Sequence, residues 1–196
     1  MKTIIYAHPY AGSFNHEILN RLSNSFSKND EEFELINLYS DNFNPMLTEK
    51  DLQTYSEGKT EDTLVKRYQR KIAGSNELVF IFPIWWQNMP AMLKGFLDKT
   101  MLSGFAYDES SGWKGLLGYI KRVTVITTST VTKEYLEKEC GDPIQSVFIN
   151  RTLVDLGIDS KNVSWIHFGE VNTTTEENRE KFLDDIPKLY QQASRK

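Results

Sequence analysis

The chain has 196 residues, enough for one domain with a sizeable core, and its 39 % hydrophobic and 26 % charged content is ordinary for a globular protein. A net charge of −4 argues against general affinity for nucleic acid, which requires a basic face. The single cysteine, Cys140, excludes an internal disulfide and favours a reducing compartment, so we expect a cytoplasmic protein. No apolar run approaches the about 18 residues that a membrane-spanning helix needs, and we expect no direct membrane insertion.

The first third of the chain alternates between strand and helix. Apolar residues run from 3 to 7, which is typical of a short buried strand. Over residues 15–27, the apolar side chains recur with helical spacing, at Ile18, Leu19, Leu22 and Phe26. Residues 33–38 predict a second strand. The polar stretch 39–60, with its Asn, Asp, Pro and Gly residues, is expected to form a long excursion.

The rest of the chain continues this alternation. Three further strands are predicted at 77–82, 122–128 and 163–168, and four further helices at 61–73, 91–102, 144–156 and 175–192. Gly157 is expected to end the helix before it, and Thr175 to cap the last one. The alternation predicts an α/β fold in which helices cover both faces of a five-stranded parallel sheet. With no linker or repeat visible, we expect a single domain over residues 1–196.

Two adjacent tryptophans follow the third predicted strand. The apolar run stops at Pro83, and Trp85 and Trp86 stand where a loop begins. In a doubly wound fold, ligands bind at the carboxyl ends of the strands, and two tryptophans there suit a flat, conjugated ligand. Packing in the core or at a dimer interface is the alternative. Because neighbours in extended backbone point opposite ways, we expect one tryptophan to face inward and the other to be exposed at a pocket or a partner.

The loop after the first strand leads directly into a helix. It begins at His8 and ends in the small and polar residues Gly12, Ser13 and Asn15. A helix N-terminus presents free N–H groups and a partial positive charge, which suits a phosphate. The loop lacks the patterns of a P-loop and of a dinucleotide fingerprint. Ser13 or Asn15 as a plain helix cap, and His8 as a structural residue, therefore remain alternatives.

A third loop follows the fourth predicted strand and is rich in hydroxyl groups. Thr127, Thr128 and Ser129 could hydrogen-bond the polar edge of a heterocycle, or they could form an ordinary loop. In the strand order 2-1-3-4-5, strands one, three and four lie side by side. The loops that follow them would then converge on one crevice, which favours a ligand site there.

Four segments together resemble a known family. They are Ala7-His8-Pro9 with Ser13-Phe14-Asn15, then Phe82-Pro83-Ile84-Trp85-Trp86, then Met89-Pro90-Ala91-Met92-Leu93-Lys94-Gly95-Phe96, and Gly104-Phe105-Ala106-Tyr107. This combination resembles the flavodoxin-like NAD(P)H:quinone oxidoreductases. That group includes DT-diaphorase, the modulator-of-drug-activity reductases and the ancillary reductases of potassium efflux systems. The similarity covers most of residues 1–170 and implies a flavodoxin-like doubly wound five-stranded parallel sheet of order 2-1-3-4-5.

The resemblance also implies a noncovalent flavin, with FMN expected and FAD as the alternative, NADH or NADPH as the electron donor, and no metal. The residues implied to hold the flavin phosphate are His8, Ser13, Phe14 and Asn15. Those implied to line its ring are Pro83, Ile84, Trp85 and Trp86, and those at its pyrimidine edge are Thr127, Thr128 and Ser129. Tyr135 falls on a family position near the reacting part of the ring and is the implied catalytic residue. Tyr107 falls on a position at the quinone pocket.

The chain departs from the family in two places. Much of the family has two glycines after the Thr-Thr pair, where this chain has Ser129 and Thr130. Glycines there would let the backbone approach the ring closely, so the local geometry is expected to differ. DT-diaphorase also has a histidine near the position of Cys140 or Gly141, which this chain lacks. We assign Cys140 no catalytic role.

The resemblance implies an enzyme in which a nicotinamide donor and a quinone-like acceptor use one site in turn, with ping-pong kinetics. A second hypothesis is a flavin-binding regulatory subunit of a potassium efflux system, and a third is a one-electron carrier of the flavodoxin type. The family closes its substrate pocket with a second subunit. The aromatic-rich loop with an exposed tryptophan, together with Phe105-Ala106-Tyr107 nearby, predicts a large apolar surface patch. We therefore expect a homodimer with residues 105–117 near the partner.

Overall fold

The computed structural model describes residues 1–193, which form one central sheet with flanking helices. In chain order the strands are β1 Lys2–Tyr6, β2 Phe33–Asn37, β3 Glu77–Pro83, β4 Tyr107–Asp108, β5 Lys114–Gly115, β6 Arg122–Thr128 and β7 Val163–Phe168. The central sheet has the order β2-β1-β3-β6-β7, and all its pairings are parallel. This is the order 2-1-3-4-5, so the predicted flavodoxin-like fold is confirmed. Residues 194–196 of the predicted single domain lie outside the described residues, and that domain boundary stays a prediction.

Four of the five predicted helices are α-helices with small shifts at their ends. They are α1 Phe14–Lys28, α3 Thr63–Ala73, α4 Ala91–Thr100 and α6 Glu176–Ala193, with the shorter α2 Glu49–Tyr55 and α5 Lys133–Lys138 added to them. The short α2 lies inside the predicted excursion, where Thr48 and Asp51 form a reciprocal capping box. The sequence pattern missed α2 and α5 because one or two turns carry too little periodicity to be recognised. No helix in residues 1–193 is both long and apolar enough to cross a membrane.

The helix expected at 144–156 is mostly a π-helix, which spans Ile144–Leu153. Its wider turn bonds residues five apart, and the Thr152 hydroxyl likewise donates to the Val147 carbonyl at 3.3 Å. Gly157 ends the segment as predicted, because its φ of +94° lies in the left-handed region. A Cβ on Gly157 would stand 2.8 Å from the backbone of Gly115, so the end of this helix docks tightly on β5.

Alternation along β3 divides the core into two layers. Phe80 and Phe82 face one side of the sheet and contact Phe148 of the π-helix, with ring centroids 5.2 and 6.0 Å apart. Val79 and Ile81 face the other side and join a separate cluster with apolar residues of α1 and α6. Because both faces are covered, β3 is apolar almost throughout, as expected for a central parallel strand.

The carboxyl ends of β1, β3 and β6 meet at one edge of the sheet. Ile81 pairs with Tyr6 of β1 on one side and with Ile126 of β6 on the other. Beyond the paired strands, the Ile84 amide donates to the Thr128 carbonyl at 2.7 Å. The three loops predicted to converge on a ligand site therefore start side by side, as the strand order predicts.

Candidate functional site

A cavity of about 360 Å³ opens at this edge of the sheet, within the size range of small-molecule sites. Of the eleven side chains predicted to bind a cofactor, nine line it. They are His8, Ser13, Phe14, Asn15, Pro83, Ile84, Trp85, Thr128 and Ser129. The loops after β1, β3 and β6 thus contribute to one cavity, while Trp86 and Thr127 are not among its lining residues.

The N-terminus of α1 points into the cavity. Ser13 caps the helix, since its hydroxyl accepts from the His16 amide at 3.1 Å. Within the described residues, the amides of Phe14 and Asn15 have no acceptor. Two free N–H groups and the positive end of the helix dipole make this end of the cavity suitable for an anion such as a phosphate.

Asn15 carries a buried polar atom without a partner. Its side chain is only 3 % exposed, and its Nδ2 donates to the Thr128 hydroxyl at 2.7 Å. Its Oδ1 accepts no hydrogen bond from the described residues. A buried acceptor left unsatisfied costs about 1–3 kcal/mol, so a ligand hydroxyl at this position would relieve that cost. A flavin, whose phosphate and sugar-like chain carry oxygens and hydroxyls, fits this arrangement of a helix N-terminus beside an orphan acceptor.

His8 connects the first loop to the aromatic loop. Its ring meets the ring of Trp85 edge-on, with centroids 5.8 Å apart. Burial lowers the pKa of His8, and the nearby His16 lowers it further. Because Nδ1 of His8 accepts from the Tyr10 amide at 3.1 Å, the neutral ring carries its proton on Nε2. His8 therefore presents a neutral donor.

The two tryptophans lie in a tight turn. The backbones of Trp85 and Asn88 exchange hydrogen bonds at 2.9 and 3.1 Å. Trp86 and Gln87 between them have φ values of +51° and +59°, the left-handed region that favours glycine and asparagine. Trp85 lines the cavity, whereas Trp86 is 94 % exposed and projects away from the protein. Strain of this kind tends to be kept at functional sites.

Thr127 and Thr128 point to opposite sides of the sheet, because successive side chains of a strand alternate. Thr128 faces the cavity beside Asn15. The Thr127 hydroxyl is fully buried and lies 2.8 Å from both Trp165 Nε1 and His167 Nδ1. Its side chain is thus occupied behind the cavity wall.

The two predicted tyrosines lie outside this cavity. Tyr135 is on α5 and is 46 % exposed. Tyr107 is on β4, stacks on Trp113 with centroids 4.3 Å apart, and lines a second, more apolar cavity of about 560 Å³. Burial raises the pKa of Tyr107, which keeps its hydroxyl protonated. The structure therefore separates the predicted substrate residue from the predicted cofactor residues.

One wall of the first cavity was missed in the sequence. The loop after β7 contributes Val171 and Asn172, and α6 contributes Arg179. The Arg179 guanidinium donates to the carbonyls of Val171 and Thr174 at 3.1 and 3.2 Å, which fastens this loop to α6. The available signal was the position of the loop at the carboxyl end of a fifth parallel strand, next to β6 in the sheet.

Comparisons with known proteins agree with the fold. A protein family described by its flavodoxin-like fold matches residues 2–188. An uncharacterized NAD(P)H oxidoreductase of Haemophilus influenzae is 29 % identical over 183 residues, which cover 92 % of this chain and 89 % of that protein. Mouse ribosyldihydronicotinamide dehydrogenase (quinone) is 30 % identical over 152 residues, which cover 67 % of this chain and 66 % of that enzyme.

Solved structures give the same result. The NAD(P)H:quinone oxidoreductase of Methanothermobacter marburgensis superposes with a TM-score of 0.85 at 26 % identity, covering 96 % of this chain and 95 % of that one. An FMN-dependent NADH-azoreductase of Bacillus anthracis, solved in complex with FMN, has a TM-score of 0.73 at 18 % identity, with 98 % and 99 % covered. The latter likeness shows the fold alone. From the match over residues 2–188 together with the strand order, we conclude that this chain belongs to the family of proteins with a flavodoxin-like fold.

Proposed function

We propose that this chain is a flavin-dependent NAD(P)H oxidoreductase of the NAD(P)H dehydrogenase (quinone) type. It would take two electrons from NADH or NADPH and deliver them to quinones or similar acceptors. The observation that carries the proposal is the convergence of three loops on one cavity, with the α1 N-terminus beside the orphan acceptor of Asn15. The oxidoreductase names of the relatives above support it.

The residues of the cavity divide the work of holding the flavin. The free amides of Phe14 and Asn15 would bind its phosphate, and Asn15 Oδ1 would accept from a hydroxyl of its side chain. Trp85 would lie against its ring. We propose FMN as the flavin, which the FMN complex of the Bacillus anthracis protein supports, with FAD as the alternative.

A bound flavin supplies the two-electron chemistry, because it can accept a hydride and pass it on. The protein's part is binding, orientation and control of charge. The neutral His8 is placed to donate a hydrogen bond without adding a positive charge to the cavity. Trp85 is 43 % exposed, which leaves the cavity open on one side for a donor and an acceptor to enter in turn. Use of one site by both substrates would give ping-pong kinetics.

The test begins with the purified protein. We expect it to be yellow and to release one flavin per chain on boiling, identified by mass as FMN. Titration of the visible spectrum with NADH and NADPH separately should then bleach the flavin, and an added quinone should restore the colour. A colourless protein that takes up neither FMN nor FAD would overturn the proposal.

We further propose that the chain acts as a two-fold homodimer. Trp113 is 57 % and Val147 is 55 % exposed, and both lie at the second cavity, which has a mainly apolar lining. An apolar surface of this kind is uncommon on a monomer. A second subunit near residues 105–117 would cover it and would bring Tyr107 into a closed substrate pocket.

The other hypotheses have less support. No relative or structure described above bears the name of a potassium-efflux subunit, and nothing in the cavity favours a one-electron carrier. We therefore propose the enzyme alone. Its place in a reducing compartment, the cytoplasm, is proposed from the single free cysteine, Cys140.

A further inference from the structure

A series of partly buried hydrogen bonds lies directly behind the wall of the candidate flavin cavity. It runs through Trp165 and His167 on β7 and through Thr127 and Ser129 on the neighbouring segment. Nδ1 of His167 is 2.8 Å from the Thr127 hydroxyl, and Nε2 is 3.1 Å from the Ser129 hydroxyl. Ser129 itself lines the cavity. The imidazole ring thus links the sheet to the cavity wall.

The donors in this series of hydrogen bonds all point in the same direction. Trp165 Nε1 can only donate, and it donates to the Thr127 hydroxyl at 2.8 Å, so the hydrogen of that hydroxyl is available for His167 Nδ1. At the other end, the Ser129 hydroxyl donates to the Val131 carbonyl at 2.6 Å. Its oxygen therefore accepts from His167 Nε2. These partners select a neutral imidazole with its proton on Nε2.

The surroundings favour the same neutral form. Burial, with a smaller effect from the ammonium of Lys133, lowers the pKa of His167 to about 4. Lys133 lies on α5, with its Nζ 4.4 Å from the ring centroid of Trp165. At neutral pH the ring is therefore uncharged and can serve as acceptor and donor at once.

Ser129 is the point at which two walls of the cavity meet. Its amide donates to the Phe168 carbonyl at 3.0 Å, and its carbonyl accepts from the Val171 amide at 2.9 Å. Val171 lines the cavity from the β7 side. Since the Ser129 hydroxyl is already bonded to Val131 and His167, its role is to hold these walls. A glycine at this position would have no hydroxyl for that purpose.

We propose that His167 is a positioning residue that acts through Ser129: as the Nε2-protonated neutral ring it fixes the wall formed by residues 128–130 and 171–172 in the shape that binds the flavin. This inference rests on the proposed flavin function. The histidine itself is not among the lining residues of the cavity, so its effect on binding would be indirect.

The test is a double-mutant cycle on FMN affinity, measured by fluorescence titration of the flavin-free protein. The variants are His167→Phe, Ser129→Ala and the two combined. His167→Gln is the conservative variant, because a glutamine amide can donate to Ser129 from the place of Nε2. Thermal unfolding without flavin reports on folding. If His167→Phe does not fold, Ser129→Ala still removes the link and His167→Gln still tests the rescue.

We expect His167→Phe and Ser129→Ala each to weaken FMN binding by about tenfold, the scale of one hydrogen bond. The double variant should be no weaker than the worse single one, and His167→Gln should stay within about threefold of the wild type. Wild-type affinity in both single variants, or losses that simply multiply in the double variant, would overturn the inference alone. A wild-type protein that binds no flavin would overturn the proposed function as well.

Discussion

At the scale of single residues, two kinds of polar atom define the site. One kind lacks a hydrogen-bond partner in the described residues, and the other kind makes its hydrogen bonds within the protein. Asn15 keeps an unpartnered oxygen at the cavity, while Thr127 and Ser129 have their hydroxyls bonded within the protein. An unsatisfied buried acceptor is costly, so one that lies at a cavity marks a candidate position for a ligand. Fully bonded hydroxyls indicate residues that support the site from behind. Three predictions belong to this scale.

The first prediction concerns Asn15. Replacement by alanine removes the orphan acceptor and the hydrogen bond to Thr128, so Asn15→Ala should weaken flavin affinity by about tenfold, or about 1.4 kcal/mol. The flavin-saturated variant should still be reduced at a near-normal rate. Fluorescence titration and stopped-flow reduction measure the two effects. Asn24→Ala, on an exposed face of the same helix, is the control and should change neither. Unchanged affinity in Asn15→Ala would contradict the assignment.

The second prediction concerns Tyr135, the proposed catalytic residue. If it steadies charge near the flavin, Tyr135→Phe should leave the flavin bound and slow hydride transfer roughly tenfold, or about 1.4 kcal/mol. Stopped-flow reduction of flavin-saturated protein is the measurement. Tyr119→Phe is a matched control, since Tyr119 is 43 % exposed and Tyr135 is 46 % exposed. Tyr135 does not line the cavity. If the Tyr135→Phe variant reacts at the wild-type rate with every acceptor, Tyr135 has no role in the mechanism.

The third prediction concerns the pH dependence of stability. The pKa of His167 is about 4 in the folded protein, below the usual value of 6.5, so the unfolded chain binds the proton more readily. The contribution of the neutral His167 to the free energy of unfolding is complete above pH 6.5 and is lost as the pH falls towards 4. Urea unfolding at several pH values should show a loss of up to about 3 kcal/mol relative to His167→Gln. Parallel curves for the two proteins would show that His167 does not titrate in this way.

At the scale of elements, the strained turn between β3 and α4 presents Trp85 to the cavity. Trp86 and Gln87 hold left-handed conformations, although neither is glycine. For an ordinary residue this conformation costs about 1–2 kcal/mol. The backbone exchange between Trp85 and Asn88 keeps the turn closed in spite of that cost. The next prediction concerns this turn.

We expect Gln87→Gly to stabilise the protein by about 0.5–1 kcal/mol. Glycine adopts the left-handed region without strain, and this gain is partly offset by the conformational entropy that glycine adds to the unfolded chain. Thermal or urea unfolding is the measurement. Gln53→Gly, at an exposed position in α2, is the control and should destabilise by up to about 1 kcal/mol. A destabilised Gln87→Gly variant would mean that the glutamine side chain supports the turn.

At the scale of the whole molecule, two of the cavities formed by residues 1–193 differ in chemistry. The first, at the carboxyl ends of the strands, combines a helix N-terminus with an aromatic ring. The second is more apolar and contains the stacked Tyr107 and Trp113. The proposed dimer would cover the second cavity.

We expect light scattering to show a dimer at micromolar concentration. Val147→Glu, which places a charge in the apolar cavity, should shift the protein to monomer. Val154→Glu is the control, because Val154 is 42 % exposed but is not among the residues that line the cavity. A wild-type monomer would contradict the proposal, as would a dimer that Val147→Glu leaves intact.

The sequence by itself determined the five strands of the central sheet, most of the helices and three of the loops that contribute to the first cavity. These are local properties, because apolar periodicity and turn residues are written in consecutive positions. Short elements such as α2 and α5 escaped because one or two turns have almost no period. The predicted strand order, confirmed in the structure, came from the resemblance to a family.

Only the tertiary structure decided which side chains of those loops face the cavity. Thr127 and Thr128 are alike in sequence, but the pairing of β6 with β3 and β7 turns one towards His167 and the other towards Asn15. The fourth wall, from the loop after β7, likewise depends on the pairing of β7 with β6. Such contacts join residues far apart in the chain, as the 2.7 Å bond between Asn15 and Thr128 does. No local pattern encodes them, because they exist only once the strands have paired.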